Sequence, residues 1–262
     1  MTATKAVTEL VATDAGPASR AQATTALTTN EIRLALRRGE NLLATIVLPA
    51  AVLVFFGSVA VIPTGSARPV DFILPGTLAL AVVATSLVSL GITTGYERSY
   101  GVLKRLGGSP ATTSTLVTAK TIAVLVIEVV QVVLLVGIAA VLLGWRPPSV
   151  LPAVIVAALV LGTATFAGLG LLFAGRLRAE ANLALVNGLF LVALLLGGVV
   201  VPIDKLPGPM ADLARVLPVS ALGEAFRIGL GSSSADPTGP LVVLAVWAVV
   251  AVSAAVTTFR WE

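Results

Sequence analysis

The chain contains no cysteine and no histidine. The first absence excludes disulfides, thiol nucleophiles and cysteine-ligated metals. The second removes the commonest general base and the commonest metal ligand. Charge is scarce too: only 11% of the 262 residues are charged, against roughly 25% in a soluble domain. No G-x-x-x-x-G-K-[ST] loop is present to cradle nucleotide phosphates. The glycine-rich run GTATFAGLGLLFAG, residues 162–175, carries no lysine, so its glycines are expected to let helices pack closely. No two carboxylates stand together inside an apolar run, and without His or Cys no catalytic constellation is visible. The first 28 residues hold no apolar stretch long enough for a signal-peptide core and read as a mostly disordered tail.

What is abundant is apolar surface. Hydrophobic residues make up 57% of the chain, and the mean hydropathy is +1.02. So much apolar surface calls for a bilayer as solvent. A crossing helix needs about 20 mostly apolar residues, and six runs qualify: 41–62, 72–96, 115–143, 151–173, 181–201 and 241–259. The fold expected is all-α and membrane-integral, over residues 29–262. The third run is long enough to tilt or to begin in the cytoplasm. With the N-terminus inside, Lys5, Arg20, Arg33, Arg37, Arg38, Arg98, Lys104, Arg105, Lys120, Arg176, Arg178 and Arg260 fall on the cytoplasmic side. Only Arg68, Arg146, Lys205, Arg215 and Arg227 fall outside. The positive-inside bias therefore puts both termini in the cytoplasm.

Three segments are amphipathic. Residues 29–40, with Thr28 and Glu31 at capping-box spacing at their start, read as a helix lying in the membrane interface or extending the first span. Residues 97–110, ERSYGVLKRLGGSP, split as a helix into a polar arc (Glu97, Arg98, Gly101, Lys104, Arg105) and an apolar arc (Tyr100, Val102, Leu103, Leu106). Gly107, Gly108 and Pro110 stop it. Such a helix either lies on lipid headgroups or docks a partner. Residues 202–230 are too polar for an ordinary span and too apolar for a solvated loop. They read as two short helices broken at Pro218, dipping into the outer leaflet. These would bury Leu213, Val216, Leu217, Leu222 and Phe226 and keep Asp212, Arg215, Glu224 and Arg227 near water.

Inside the third span stands Glu128, with Gln131 one turn later on the same face. An acid at mid-bilayer costs about 2.5–3.5 kcal/mol on insertion scales, so Glu128 should face protein or a wet cavity. It is either a pathway residue or a structural hydrogen-bond partner, with Asn182 or Asn187 as the neighbours considered.

Six spans, a preceding interfacial helix, ER-x-x-G-x-L-K-R-L-x-x-x-P in the first cytoplasmic loop and LPVSALGEAFR before the last span together resemble an ABC-2 type permease. These are the membrane subunits of ABC exporters, and the drug-resistance permeases of actinobacteria look most similar. The family's first loop typically reads ERE-x-G-T. Glu97, Arg98 and Gly101 match, Ser99 stands where a second acid is common, and Val102 replaces Thr.

The resemblance implies that 97–110 is the coupling helix, with Glu97, Arg98, Gly101, Leu103, Lys104, Arg105 and Leu106 facing a separate ATP-binding subunit. It implies that 202–230 is the re-entrant extracellular segment, with Pro202, Leu206, Pro207, Pro218, Glu224 and Arg227 in matching places. It implies a multi-pass protein of the bacterial cell membrane that works with a second permease copy, as a homodimer or a paired heterodimer. ATP and Mg belong to the partner subunit; this chain is expected to bind no cofactor, no metal and no nucleic acid. The expected activity is outward transport of a drug or lipid-like amphiphile, as in antibiotic resistance. The alternatives are a polysaccharide or glycolipid exporter, or an ATP-independent channel or carrier.

Overall fold

The computed structural model describes residues 19–37, 39–58, 68–108, 111–198, 203–205 and 207–261. The expected tail up to residue 18, Pro110 and Pro202 lie outside the described residues. Every regular element among those described is helical. In chain order they are α1 (Arg20–Arg37), α2 (Gly39–Ser58), α3 (Pro69–Ser99), α4 (Val102–Gly107), α5 (Thr113–Leu142), α6 (Pro152–Ala174), α7 (Ala179–Leu196), a 3₁₀ turn (Ile203–Lys205), α8 (Gly208–Val216), α9 (Pro218–Gly229) and α10 (Thr238–Thr258).

Five of these, α3, α5, α6, α7 and α10, are long and apolar enough to cross a membrane. Their ends fall within about five residues of the expected runs. The first run maps onto α2, whose apolar part Thr45–Ser58 falls short of that length by itself. α5 is one unbroken helix of 30 residues. At 1.5 Å per residue it is about 45 Å long, more than the roughly 30 Å hydrocarbon core of a bilayer. It must therefore tilt or project.

α1 corrects the expected interfacial helix. It begins at Arg20, so residues 20–28 are helix and not tail. The capping box lies upstream of the expected one: Ser19 Oγ accepts from the Gln22 N–H at 3.3 Å, and Gln22 Oε1 accepts from the Ser19 N–H at 2.9 Å. Thr28 and Glu31 sit inside the helix and use their side chains on α5. α1 packs along α5, so protein and not lipid covers that face.

α6 is the hub. It packs on α3, α5, α9 and α10. In a bilayer, burying apolar side chains between spans gains little over leaving them in lipid, so small residues and close backbone approach take over. The glycines of 162–175 do this as expected. A methyl group on Gly168 would stand 2.9 Å from the Ala251 backbone on α10, and one on Gly170 would stand 2.9 Å from the Ser86 carbonyl on α3. Gly162 leaves room for Leu222 of α9, and Gly175 for Phe259. The outer faces of α5, α7 and α10 are apolar and exposed, with Val133, Leu195 and Val249 among them. This suits a lipid or protein neighbour.

At the far end from α4, α8 and α9 form the expected pair of short helices with Pro218 opening the second. Leu222 and Phe226 are buried as expected, and Leu217 is half-buried. Leu213 and Val216 are not covered by protein, because α8 turns that face outward. One residue departs. Arg227 is buried, with its guanidinium 4.7 Å from the Phe72 ring centre, 3.3 Å from Glu224 and bonded to the Gly198 carbonyl. Cation–π contact and two acceptors replace the water it was expected to keep.

Close packing at Gly168 yields a test with an internal control. Gly168→Ala should lower stability by about 1–3 kcal/mol through overpacking. Gly188→Ala, which meets nothing within 4 Å on helix α7, should be neutral or stabilising by up to about 1 kcal/mol. Unfolding in mixed detergent micelles measures both. Equal losses would contradict the close α6–α10 approach.

Candidate functional site

The segment following α3 is not one helix. Gly101 adopts the left-handed conformation, with φ of 72°, and ends α3 in the manner of a glycine C-cap. The Gly101 N–H donates to the Arg98 carbonyl at 3.0 Å, and a second, six-residue helix starts at Val102. The expected polar arc is therefore divided between two helices. Gly107 and Gly108 end α4 as anticipated.

Glu97 and Arg98, in the last turn of α3, point into protein. A Glu97 carboxylate oxygen lies 2.8 Å from Lys120 Nζ on α5. Arg98 Nη2 donates to the Leu177 carbonyl at 2.5 Å, in the turn between α6 and α7. Leu103 is buried against Leu116 and Phe259, and Leu106 packs partly on the same cluster with Trp261. What α4 and its approach leave exposed is Tyr100, Val102, Lys104 and Arg105. Tyr100 is 75% exposed and Val102 51%, high values for such side chains next to two cations. This patch is carried on a rigid base: Tyr100 stacks on Tyr96, and Trp261 closes against Gly107.

Lys120 has no exposed surface. Its ammonium is also 2.8 Å from Glu31 of α1. Nothing in the sequence marks this trio. Lys120 reads as one more cation near the end of a span, and its partners lie 23 and 89 residues away.

Glu128 and Gln131 are buried on α5. Glu128 Oε1 accepts from the Ser86 hydroxyl at 2.5 Å, and Oε2 accepts from the Thr163 hydroxyl. Gln131 Oε1 accepts from the Thr85 hydroxyl at 3.0 Å, and its Nε2 donates to the Thr45 carbonyl at 3.1 Å. Thr85 and Ser86 belong to a π-helical turn, Val83–Ser89, inside α3. π-turns often mark functional places in helices. Here the turn brings two consecutive hydroxyls onto Gln131 and Glu128. The expected asparagine partners are elsewhere: Asn182 donates to the Gly91 carbonyl at 2.8 Å, and Asn187 donates to Leu183 on its own helix.

A groove of about 440 Å³ runs between α2, α3 and α7. Its wall is mostly apolar, with Leu48, Leu80, Ile92 and Phe190, and carries Thr93 and Asn187 as polar points. Glu128 and Gln131 do not line it. Of the outer-segment residues, Pro207 precedes α8 and Pro218 opens α9. Glu224 holds Arg227 and accepts from the Ser233 hydroxyl at 2.7 Å.

Among the described residues there is no group of three or more Asp or Glu side chains fit to hold a metal. The arrangement offers a docking patch, a buried polar tie and an apolar groove. A family model described as ABC-2 type transporter matches residues 22–230. The chain belongs to the ABC-2 type transporter family. The match begins within α1 and ends at the first residue after α9, so it takes in α4, the π-turn and the two short helices. No curated protein matches the chain. An ABC-2 permease is the membrane component of an ABC transporter, is not itself an ATPase and normally works with an ABC ATP-binding subunit.

The polar tie has a measurable weight. Glu128→Ala should cost about 1–3 kcal/mol, the usual range for stripping buried hydrogen bonds, with a further cavity contribution. Glu128→Gln preserves the shape and should cost less. Micelle unfolding of the two variants checks the order; no loss in the Ala variant would mean the hydroxyls gain nothing from Glu128.

Proposed function

We propose that this chain is the six-span permease subunit of an ATP-driven exporter in the bacterial cell membrane. α2 supplies the first span, and both termini are cytoplasmic. A separate ATP-binding subunit docks on the exposed patch of Tyr100, Val102, Lys104 and Arg105. The single observation that carries this reading is that patch: Tyr100 at the end of α3, and Val102, Lys104 and Arg105 on a short helix braced by Leu103 and Leu106. A helix meant only to rest on lipid needs no such bracing. Glu97, Arg98, Leu103 and Leu106 then serve as the brace, and Gly101 as the turn that presents the patch.

Two copies enclose the pathway, and α8 and α9 form its outer cap. Leu213 and Val216 on α8 are exposed and suited to the outer leaflet or the second copy. The groove between α2, α3 and α7, apolar with a few polar points, favours a drug-like or lipid-like amphiphile over a polysaccharide. We assign Glu128 and Gln131 to holding α3, α5 and α6 together and not to contact with cargo, since both are enclosed by protein donors and acceptors.

Charge reversal at the patch tests the docking. Arg105→Glu, in a stably inserted protein co-expressed with an ABC ATP-binding subunit, should lose co-purification of that subunit and ATP-dependent export together. Unchanged association would return α4 to the lipid surface. Glu128→Gln should export at the normal rate; a strong loss with assembly intact would reinstate it as a pathway residue.

A further inference from the structure

The Lys120 centre joins three elements: α1, which packs along α5, and the end of α3. Glu31 comes from α1, Glu97 from the last turn of α3, and Lys120 from the first third of α5. An ammonium donates three hydrogen bonds, and two go to these carboxylates at 2.8 Å each. The lysine is fully buried, while Glu31 and Glu97 keep 20% and 12% of their side-chain surface. A cavity of about 80 Å³ lies beside the trio, with Leu34, Leu90, Val124 and Ile127 giving it a mostly apolar wall around the three charged groups. Removing the ammonium would leave the Glu31 and Glu97 carboxylates facing the same pocket without the cation that bridges them.

Position gives the trio a role. Glu97 stands four residues before Gly101, at the root of the exposed patch. Glu31 stands in α1, which ends at Arg37, while α2 begins at Gly39. α2 is a wall of the groove through Thr45, Leu48 and Val52. A series of contacts thus runs from the patch through Glu97, Lys120 and Glu31 to α1, and α1 touches α2, the groove wall. We propose that Lys120 is a positioning residue that makes α1 and the 97–108 segment move as one body, so that displacement at the patch reaches α2. The inference rests on the permease reading for the source of the displacement; the mechanical tie itself does not.

The chain has no native cysteine, so spin labels can be placed at Arg33→Cys on α1 and Val102→Cys on α4, both exposed. In proteoliposomes of the chain alone, pulsed electron paramagnetic resonance should give one narrow distance with Lys120 and with Lys120→Arg. Lys120→Met should broaden it or add a second distance. Glu31→Gln, on the more exposed side of the trio, should do the same and guards against a folding defect in the Met variant. Wild-type distributions in both variants would overturn the tie.

In vesicles that also hold an ABC ATP-binding subunit, Lys120→Met should lower ATP-dependent export roughly tenfold while the subunit stays bound. Lys120→Arg, which keeps a cation between both carboxylates, should retain most of it. Undiminished export in Lys120→Met would overturn the proposed transmission. Absence of ATP-dependent export in the wild type would instead count against the permease reading, and the distance measurement would still decide the tie.

Discussion

The close approach of α6 to its neighbours is the contact on which the other features depend. Lipid solvates apolar side chains as well as a protein interior does, so spans gain little by hiding leucine from it. They gain by van der Waals contact at short range and by polar bonds that lipid cannot make. Gly168 and Gly170 let α6 reach the backbones of α10 and α3. Only at that distance can Thr163, on the same helix, meet Glu128 of α5 while Ser86 of α3 meets it from the other side. The π-turn in α3 is part of the same arrangement, because Gly170 packs on its carbonyls. The carboxyl group is thereby held deep inside protein, away from lipid.

The two ends of this block are built differently. At one end, α8, α9 and Arg227 form a cap in which a cation sits on Phe72 and a carbonyl. At the other, α3 ends at Ser99, and Tyr100 and the short helix after Gly101 turn an aromatic ring and two cations outward. The last turn of α3 is held by Lys120 and by the Arg98 bond to Leu177, and the short helix by the C-terminal Phe259 and Trp261. Such bracing is what an element must have if force applied to it is to move spans and not merely bend a loop.

Much of the fold was legible in the sequence because spans are announced by composition and length alone. The runs for α3, α5, α6, α7 and α10 need no knowledge of partners, and the glycines of 162–175 signal close packing by their type. The start of α1 was not legible: residues 20–28 are alanine- and threonine-rich without an apolar stripe, and their helix opens at the Ser19–Gln22 capping box. The break at Gly101 was hidden because a helical projection treats glycine as any other position, while its left-handed φ is a property of the folded backbone. The apolar pattern did locate the patch, but the contacts of Glu97 with Lys120 and of Arg98 with the Leu177 carbonyl lie outside what it can show. Burial of Arg227 and the Lys120 trio depend on groups from distant elements, which spacing along one helix cannot reveal.

The central claim is that movement enters this permease at α4. A photo-crosslinking amino acid at Val102 tests it most directly, in membranes that also contain an ABC ATP-binding subunit. The account predicts a specific adduct with that subunit, lost when the subunit is omitted. Adducts with lipid alone, the ATP-binding subunit being present and associated, would contradict it.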